Sequence, residues 1–282
     1  MAANQAERTP VASERASTPI FRAAKPEEDD MLSRILCNSF LPVWNHNWFH
    51  GVSQSLEPVM IGTPTSKPHM NSQQKTRVRF YRSLVKMTRR IGGLVLVAET
   101  NTSDDGKSDI GAILLWLAPK KRMGTFDLLG LWQSGLLGMM LPWHYGVTGF
   151  YRIEFVFEEN IRKMWARTLP DLPPRGFQEG DCAFVQMIAS NPQYAGKGYA
   201  SALMAYQIEQ HFAAFPNTPV LLDTTTHQAI RAYERLGFKL LAEVPVDTGT
   251  DARGIKLKAD ASEEIRKEAK EVCIQRVMAK LR

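Results

Sequence analysis

Residues 191–200 read NPQYAGKGYA and combine three small side chains with one positive charge. Gly196, Gly198 and Ala200 alternate along the chain, and Lys197 lies between the two glycines. The run SALMAYQIEQHF follows directly and predicts a helix. Small residues let a ligand approach the main chain, and the N–H groups at the start of a helix attract phosphate. The segment therefore predicts a phosphate-binding turn.

Two common phosphate motifs fit this turn poorly. A P-loop needs Gly-Lys followed by Ser or Thr, whereas Lys197 precedes Gly198 here. A dinucleotide-binding fingerprint needs a third glycine where this chain has Ser201. A tight turn between a strand and a helix that binds no ligand is the competing interpretation.

The turn lies in a half of the chain that alternates regularly between strands and helices. CAFVQMIAS predicts a strand before the turn, and the helix after it extends to about Phe215. PVLLDTTT then predicts a strand, HQAIRAYERLG a helix and FKLLAEVPV another strand. The first half predicts a strand in PIFRAAK, a basic helix from Gln73 to Arg90, and two strands that form a hairpin across DDG. This order favours one mixed α/β domain over a doubly wound sheet.

We predict a single domain at residues 19–260, with a leader before it, an insertion within it and a helix after it. Residues 1–18 are polar and predict a disordered leader. A segment of about 60 residues between the third and fourth strands, about 121–180, is rich in Leu, Met, Trp and Tyr. It either caps an acceptor site or completes the core. Residues 261–282 predict a C-terminal amphipathic helix packed on the domain.

A second motif, AYERLGF, begins 32 residues after the turn ends. With this motif, the block from about residue 181 to residue 246 resembles the GNAT superfamily of acyl-CoA-dependent N-acyltransferases. The family's Pro-x-x-[Arg/Gln]-Gly-x-Gly-x-[Gly/Ala] loop is matched by Pro192, Gly196, Gly198 and Ala200, and its Tyr-Glu-[Arg/Lys]-x-Gly-Phe helix end by Tyr233, Glu234, Arg235, Gly237 and Phe238. The leader and the insertion are similar to those of single-domain fungal members. The resemblance implies a GNAT-like α/β fold with a mixed sheet and a helical, apolar insertion between strands 3 and 4.

The resemblance also implies a cofactor site for acetyl-CoA. In the family the cofactor lies in a V-shaped opening between two splayed parallel strands, here around residues 186–190 and 221–225. The predicted cofactor-binding residues are Ile188, Ala189, Ser190, Ala195, Gly196, Lys197, Gly198, Tyr199, Ala200, Ser201, Thr226 and His227. Anchoring on Pro192 places the family's Arg/Gln at Ala195, although a bare pattern search selects Gln193. We expect Ala195 to offer a backbone N–H group but no polar side chain.

The resemblance makes Tyr233 the general acid that reprotonates the thiolate of coenzyme A, since a phenol is protonated at neutral pH. A packing role for this tyrosine is the alternative. No general base is evident, because Gln186 stands where some members carry a carboxylate. The candidates are Glu99, Glu154, His144 and His227, and a water chain or an amine that arrives neutral is equally possible. His46 and His50 have i,i+4 spacing but lack a third ligand, so we predict no metal.

Composition sets limits on compartment and partners. The formal net charge of +6 suits an anionic ligand, and no recognition motif accompanies the basic helix, so we expect no nucleic acid. Three cysteines without CxxC spacing predict reduced thiols and a cytoplasmic protein. The apolar window from Leu128 to Phe150 carries glycines, Pro142 and His144, so we expect no stable membrane insertion. We expect a monomer or homodimer.

The sequence thus predicts an N-acetyltransferase that moves an acetyl group to the amine of a small, fairly apolar molecule by direct attack in a ternary complex. Two alternatives stay open. One is an enzyme of the same fold with another acyl donor, a hydroxyl acceptor or a different reaction in secondary metabolism. The other is a non-catalytic CoA-binding protein.

Overall fold

The computed structural model describes residues 19–61, 70–100, 109–122, 127–141, 144–173, 176–258 and 260–282. Within these residues seven strands form one sheet, namely β1 (Ile20–Ala23), β2 (Leu94–Glu99), β3 (Ile110–Leu117), β4 (Ala183–Ser190), β5 (Val220–Thr224), β6 (Lys239–Pro245) and β7 (Ile274–Lys280). Their order across the sheet is β1-β2-β3-β4-β5-β7-β6. The strands pair antiparallel except β4 and β5, which are parallel. The predicted leader and the turn of the predicted hairpin at 101–108 lie outside the described residues.

Helices cover both faces of the sheet. They are α1 (Asp29–Ser39), α2 (Trp44–His50), α3 (Ser72–Arg90), α4 (Leu128–Ser134), α5 (Gly146–Tyr151), α6 (Glu158–Thr168), α7 (Tyr199–Ala214), α8 (His227–Arg235) and α9 (Glu263–Val272). The core on one face joins buried side chains of α1, α2, α3 and α6 to the sheet. The core on the other face joins those of α7 and α8 to it. The mixed α/β fold expected from the sequence is confirmed.

A β-bulge at Gln186 changes which side chains of β4 face each core. Met187 pairs with Leu115 of β3 and Val185 with Trp116, so Gln186 has no partner on β3. Val185 packs in the core under α7 and α8, whereas Met187 packs in the opposite core. An extra residue on one strand shifts the alternation by one and bends the strand. β4 therefore changes direction next to β5.

The prediction of one C-terminal helix over residues 261–282 is wrong. The helix α9 ends at Val272, and the chain continues as β7 between β5 and β6. Val277 and Met278 of β7 are fully buried on opposite faces of the sheet. A strand that is covered on both faces has an uninterrupted apolar run, which periodicity alone does not distinguish from a buried helix.

The segment between β3 and β4 is largely helical. It contains α4, α5 and α6, and a π-helical turn at Arg152–Phe157 joins the last two. Ile161, Met164 and Trp165 of α6 are buried in the core, as their periodicity predicts. Residues 123–126, 142–143 and 174–175 of the predicted insertion lie outside the described residues.

Basic residues of α3 do not all face solvent. Arg77 is fully buried and donates through Nη2 to the backbone oxygen of His46, at 3.0 Å, and to Oδ1 of Asn47, at 2.7 Å. These bonds join α3 to the helix α2. α3 therefore has a buried face and an exposed basic face.

Candidate active site

The strands β4 and β5 separate after a short region of pairing. Only Ala183–Val220 and Phe184–Leu221 are paired in the described sheet, although both strands continue beyond these residues. The separation begins beside the bulge at Gln186. Main-chain groups along the opened edge lack a neighbouring strand, and such groups require another polar partner. The opening lies where the sequence predicted a V-shaped cofactor site.

Alternation along β4 decides which backbone groups face the opening. The N–H group of Asn191 donates to the backbone oxygen of Gly111, next to β3, at 2.9 Å. Since antiparallel bonds alternate, Ala189 also faces β3, whereas Ile188 and Ser190 face the opening. The hydroxyl of Ser39 donates to the Ser190 oxygen at 2.7 Å. Of the three predicted backbone contacts, Ile188 and Ser190 therefore have the suitable orientation.

The glycine turn at the end of β4 has an open main chain. Gly196 and Gly198 have φ of 80° and 82°, in the left-handed region that favours glycine. A Cβ atom added at either glycine would have no described atom within 4 Å. Gly198 is the N-cap of α7, and no side chain caps this helix. The N–H groups of the first turn of α7 are therefore available to an anion.

Two residues of the turn use their N–H groups internally. Ala195 donates to the backbone oxygen of Pro192 at 3.3 Å, and Lys197 donates to that of Tyr194 at 3.2 Å. The expectation that Ala195 offers its N–H group to a phosphate is therefore corrected. The ammonium of Lys197 lies over the ring of Tyr194, 5.3 Å from its centroid. Tyr199, Ala200 and Ser201 begin α7, so the helix starts two residues before the run that predicted it.

Buried hydrogen bonds fix this turn to the sheet. The fully buried Asn191 donates through Nδ2 to the backbone oxygen of Ile110 at 2.8 Å, and its Oδ1 accepts from the N–H group of Gln193 at 3.2 Å. The hydroxyl of Tyr194 donates to Oδ2 of Asp109 at 3.0 Å. The glycines therefore lie between a fixed strand end and the first turn of α7.

The opening continues into a cavity of about 370 Å³ beneath α2, α3 and the helices between β3 and β4. Gln186 and Ile188 line it from β4, and Asp223 and Thr224 line it from β5. Apolar side chains contributed by the link between α1 and α2, by α2 and α3, and by the β3–β4 segment form much of its wall, including Phe40, Phe49, Phe80, Leu131, Met139 and Tyr145. The volume lies within the range of small-molecule sites.

Two carboxyl groups in the cavity wall were not identified from the sequence. Burial raises the pKa of Asp223 to about 7. Burial, and then the negative charges of Asp223, Glu154 and Glu179, raise the pKa of Glu158 to about 8. Groups that titrate near neutral pH in a cleft are candidates for acid–base catalysis. For Asp223 the one signal in the sequence was a carboxylate within the apolar strand VLLDT. Glu158 gave no such signal, because acidic residues are common in the first turn of a helix.

The π-helical turn and β7 position Glu158. The backbone oxygen of Phe157, the preceding residue, accepts from Nε2 of Gln275 at 3.1 Å. Oε1 of the same glutamine accepts from Nδ2 of Asn160 at 3.0 Å. Gln275 is fully buried in β7. The irregular start of α6 is thus bonded to the sheet on both sides of Glu158.

Tyr233 of α8 also lines the cavity. Burial, and then the negative charge of Asp223, raise the pKa of its hydroxyl well above the ordinary value. The phenol is therefore protonated at neutral pH, as a general acid must be. Tyr233, Asp223 and Glu158 all line this cavity, and the charge of Asp223 raises the pKa of the other two groups.

The four predicted candidates for the base are dispersed. Glu154 lies in the cavity wall, with Oε2 3.7 Å from Nη1 of Arg162. Glu99 accepts from Nε of Arg22 at 2.6 Å, between β1 and β2. His144 lies beside α3, where its Nε2 is 2.7 Å from Nη1 of Arg79. His227 is exposed at the start of α8.

The predicted residues at the start of α8 differ in environment. Thr226 is the N-cap, accepts from the N–H group of Ala229 at 3.3 Å and lines the cavity. The neighbouring Thr225 donates to Oδ1 of Asn45 in α2 at 3.2 Å. The exposed His227 is the first residue of the helix. Thr226 therefore uses its side chain to begin α8 at the cavity.

The histidines of α2 each bond to a tyrosine. Nδ1 of His46 is 2.9 Å from the hydroxyl of Tyr81, and Nε2 of His50 is 2.8 Å from that of Tyr145. Burial and the charge of Arg77 lower the pKa of His46 to about 3. Among the described residues there is no group of three or more metal-ligating side chains. Nor does any helix in the described ranges have the length and apolarity to span a membrane.

Comparisons with known proteins concern the same part of the chain. Residues 144–238 match the model of the acetyltransferase (GNAT) family. No curated protein matches the sequence.

Solved structures are similar to this chain at low sequence identity. A putative arylalkylamine N-acetyltransferase 7 from the mosquito Aedes aegypti is 12% identical with a TM-score of 0.51, covering 92% of this chain and 85% of its own. Arylalkylamine N-acetyltransferase 2 of the same species is 15% identical with a TM-score of 0.49, covering 94% and 99%. An acetyltransferase from Corynebacterium glutamicum, described as histone acetyltransferase HPA2 and related acetyltransferase, is 14% identical with a TM-score of 0.48, covering 93% and 96%. The first of these supports the fold alone.

Substitutions in the turn test which residue faces the predicted phosphates. An arginine at the exposed Ala195 would add a cation, so we expect Ala195→Arg to tighten coenzyme A binding by about two- to fivefold. Gln193→Ala is the matched control and should leave the affinity unchanged. Isothermal titration with coenzyme A measures both. Weaker binding by Gln193→Ala, with no gain from Ala195→Arg, would show that the other register is correct.

The raised pKa of Glu158 predicts a pH-dependent effect on stability. The folded chain retains this proton up to about pH 8, whereas an unfolded chain releases it near the ordinary value of 4.5. Stability therefore falls as the pH rises between these values. At pH 8 we expect Glu158→Gln to raise the melting temperature, because the variant no longer has a buried carboxyl group that must stay protonated. Each kcal/mol gained in the free energy of unfolding corresponds to about 2–4 °C. Glu159→Gln, at the half-buried neighbour that pairs with Arg162 and Lys163, should produce no such gain, and an equal gain would contradict the assignment.

Proposed function

We propose that this chain, whose residues 144–238 match the model of the acetyltransferase (GNAT) family, transfers the acetyl group of acetyl-CoA to the amine of a small, largely apolar molecule. One observation carries the proposal. The opening between β4 and β5 leads into a cavity that contains Tyr233 and two carboxyl groups with raised pKa values. A proton donor and proton acceptors thus surround one reaction space.

The geometry of the turn supports binding of acetyl-CoA. Phosphates require closely approaching N–H donors, which Gly196, Gly198 and the uncapped start of α7 provide. Lys197 adds an exposed positive charge beside them. Along the opened edge of β4, the backbone groups of Ile188 and Ser190 suit the amide groups of the pantetheine arm. The fit relies on main-chain atoms, so alanine at position 195 is compatible with binding.

The lining of the cavity supports an apolar amine as the acceptor. Aromatic and aliphatic side chains from α2, from α3 and from the β3–β4 segment surround its body. Asp223, Glu158 and Glu154 make another part of the wall acidic. A cationic amine gains from nearby carboxylates, and an apolar body gains from leaving water. An ammonium would therefore orient toward the acidic wall.

Asp223 is the proposed proton acceptor. Its pKa of about 7 leaves a substantial ionised fraction at neutral pH, which is the condition for an effective general base. The deprotonated amine attacks the acetyl carbon directly in a ternary complex. Tyr233 holds the proton that the leaving sulfur requires. Glu158 is protonated at neutral pH in the free protein, and a bound ammonium would lower its pKa, so that the ionised carboxylate pairs with the cationic acceptor. This division makes Asp223 the base and Glu158 a substrate-binding group.

We place the reaction in the cytoplasm and propose that the protein acts as a monomer or homodimer. The three cysteines are buried free thiols, which suits a reducing compartment. Burial raises the pKa of each thiol. The thiols are therefore protonated at neutral pH and poorly reactive.

Turnover of acetyl-CoA with a panel of small amines tests the proposed reaction. We expect release of free coenzyme A with amines that have an apolar body, and much less with polar amines of equal charge. Tyr233→Phe should lower kcat by about a hundredfold or more, because the acid is lost. Its affinity for coenzyme A should persist in the same titration. Unchanged turnover would exclude Tyr233 from the mechanism, and no turnover with any amine would contradict the proposed function.

Substitution of Asp223 tests the proposed base through the pH profile. A base must be ionised, so kcat/KM of the wild type should rise with pH and level off above about pH 7. Asp223→Asn should lower kcat by about a hundredfold and abolish this rise of kcat/KM with pH, which is the acidic limb of the profile. Glu158→Gln should mainly raise KM for cationic amines and keep the limb. Loss of the limb in Glu158→Gln, but not in Asp223→Asn, would reverse the two assignments.

A further inference from the structure

The outer face of α4 exposes large apolar side chains. Leu128, Leu129 and Trp132 are 63%, 57% and 67% exposed. The opposite side of the helix faces the protein, where Leu131 lines the cavity and Gly130 is buried. Contact of a tryptophan and two neighbouring leucines with water is unfavourable, and contiguous exposed apolar groups often mark an interaction site. This α4 outer face therefore needs a partner.

An exposed row of cations lies along α3. Lys75, Arg79, Arg82, Lys86 and Arg90 are all exposed. Their spacing of three or four residues places them on one side of the helix. No acidic residue occurs in α3. We call this row the α3 cationic stripe.

The α4 outer face and the α3 cationic stripe adjoin. Nη1 of Arg90 donates to Oε1 of Gln133, the residue after Trp132 on the exposed side of α4. The N-cap Asp127 accepts from the N–H group of Gly130 at 2.8 Å at the start of α4. The helices thus place positive and apolar groups next to each other on one surface.

Acidic neighbours offset little of this charge. Oδ2 of Asp30 lies 2.7 Å from Nε of Arg34, and its Oδ1 lies 3.7 Å from Nη1 of Arg82. That carboxylate is shared between two arginines, and the remaining positions of the stripe extend along most of α3. The surface therefore keeps an excess of positive charge.

We propose that the α4 outer face and the α3 cationic stripe form a docking surface for an anionic lipid bilayer. Tryptophan and leucine side chains enter the boundary between headgroups and acyl chains, while lysine and arginine contact lipid phosphates. The arrangement requires the two kinds of group side by side, as they occur here. The bound chain rests on the membrane, and none of the helices in the described residues crosses it.

Charge favours a bilayer over a second copy of this chain. A two-fold contact brings the same patch of both copies together, so the α3 cationic stripes would lie near each other and repel. A nucleic acid would satisfy the cations but would leave Leu128, Leu129 and Trp132 in water. An anionic bilayer satisfies both kinds of group.

Sedimentation of the full chain with lipid vesicles tests the proposal. We expect binding to phosphatidylcholine vesicles that contain phosphatidylserine, weaker binding without phosphatidylserine, and a decrease at high salt. The double variant Leu128→Ser with Trp132→Ser should reduce the partition coefficient by at least about tenfold. The double variant Lys75→Gln with Lys86→Gln should reduce it by about fivefold for each lysine at low salt.

Controls separate docking from loss of folding. Ile265→Ser changes a residue that is 38% exposed on α9, which packs against β6 at the far edge of the sheet. It should bind vesicles like the wild type, and every variant should keep the wild-type melting temperature. Absence of vesicle binding by the wild type would overturn the proposal. So would equal binding by all variants, or self-association that Trp132→Ser abolishes without any vesicle binding.

Discussion

The parallel ladder between β4 and β5 ends after two residue pairs, and the candidate site depends on this ending. The bulge at Gln186 turns β4 and moves Met187 into the core on the opposite face. A straight β4 would continue to pair with β5 and would satisfy its own backbone groups. The bend instead leaves polar main-chain atoms along an open edge. That edge joins the glycine turn at one end to the cavity at the other.

The cavity exists because helices from distant parts of the chain meet over this opening. α2 and α3 are joined by the buried Arg77, and α6 is joined to β7 by Gln275. Burying carboxyl groups between such elements disfavours their charged forms, which raises the pKa of Asp223 and of Glu158 toward neutrality. The same burial keeps Tyr233 protonated. Burying these carboxyl groups lowers the free energy of unfolding, but it provides groups that can transfer protons near pH 7.

Much of the fold could be predicted because its signals are local. The first six strands and α3 follow from apolar alternation and helical periodicity, and the structure confirms them. The strand β7 could not be predicted, since its apolar run continues the pattern of α9 and only pairing between β5 and β6 makes it a strand. The aromatic segment of α2 was also missed, because its burial against α3 is a long-range effect.

The sequence by itself determined the turn from Asn191 to Gly198. Glycines at positive φ and the start of α7 depend on residues within a few positions of one another. The motif also located Tyr233 on its helix. Only the tertiary structure decided which carboxyl groups accompany that tyrosine. Asp223 and Glu158 are far apart in the chain, and their pKa values result from burial that no local pattern encodes.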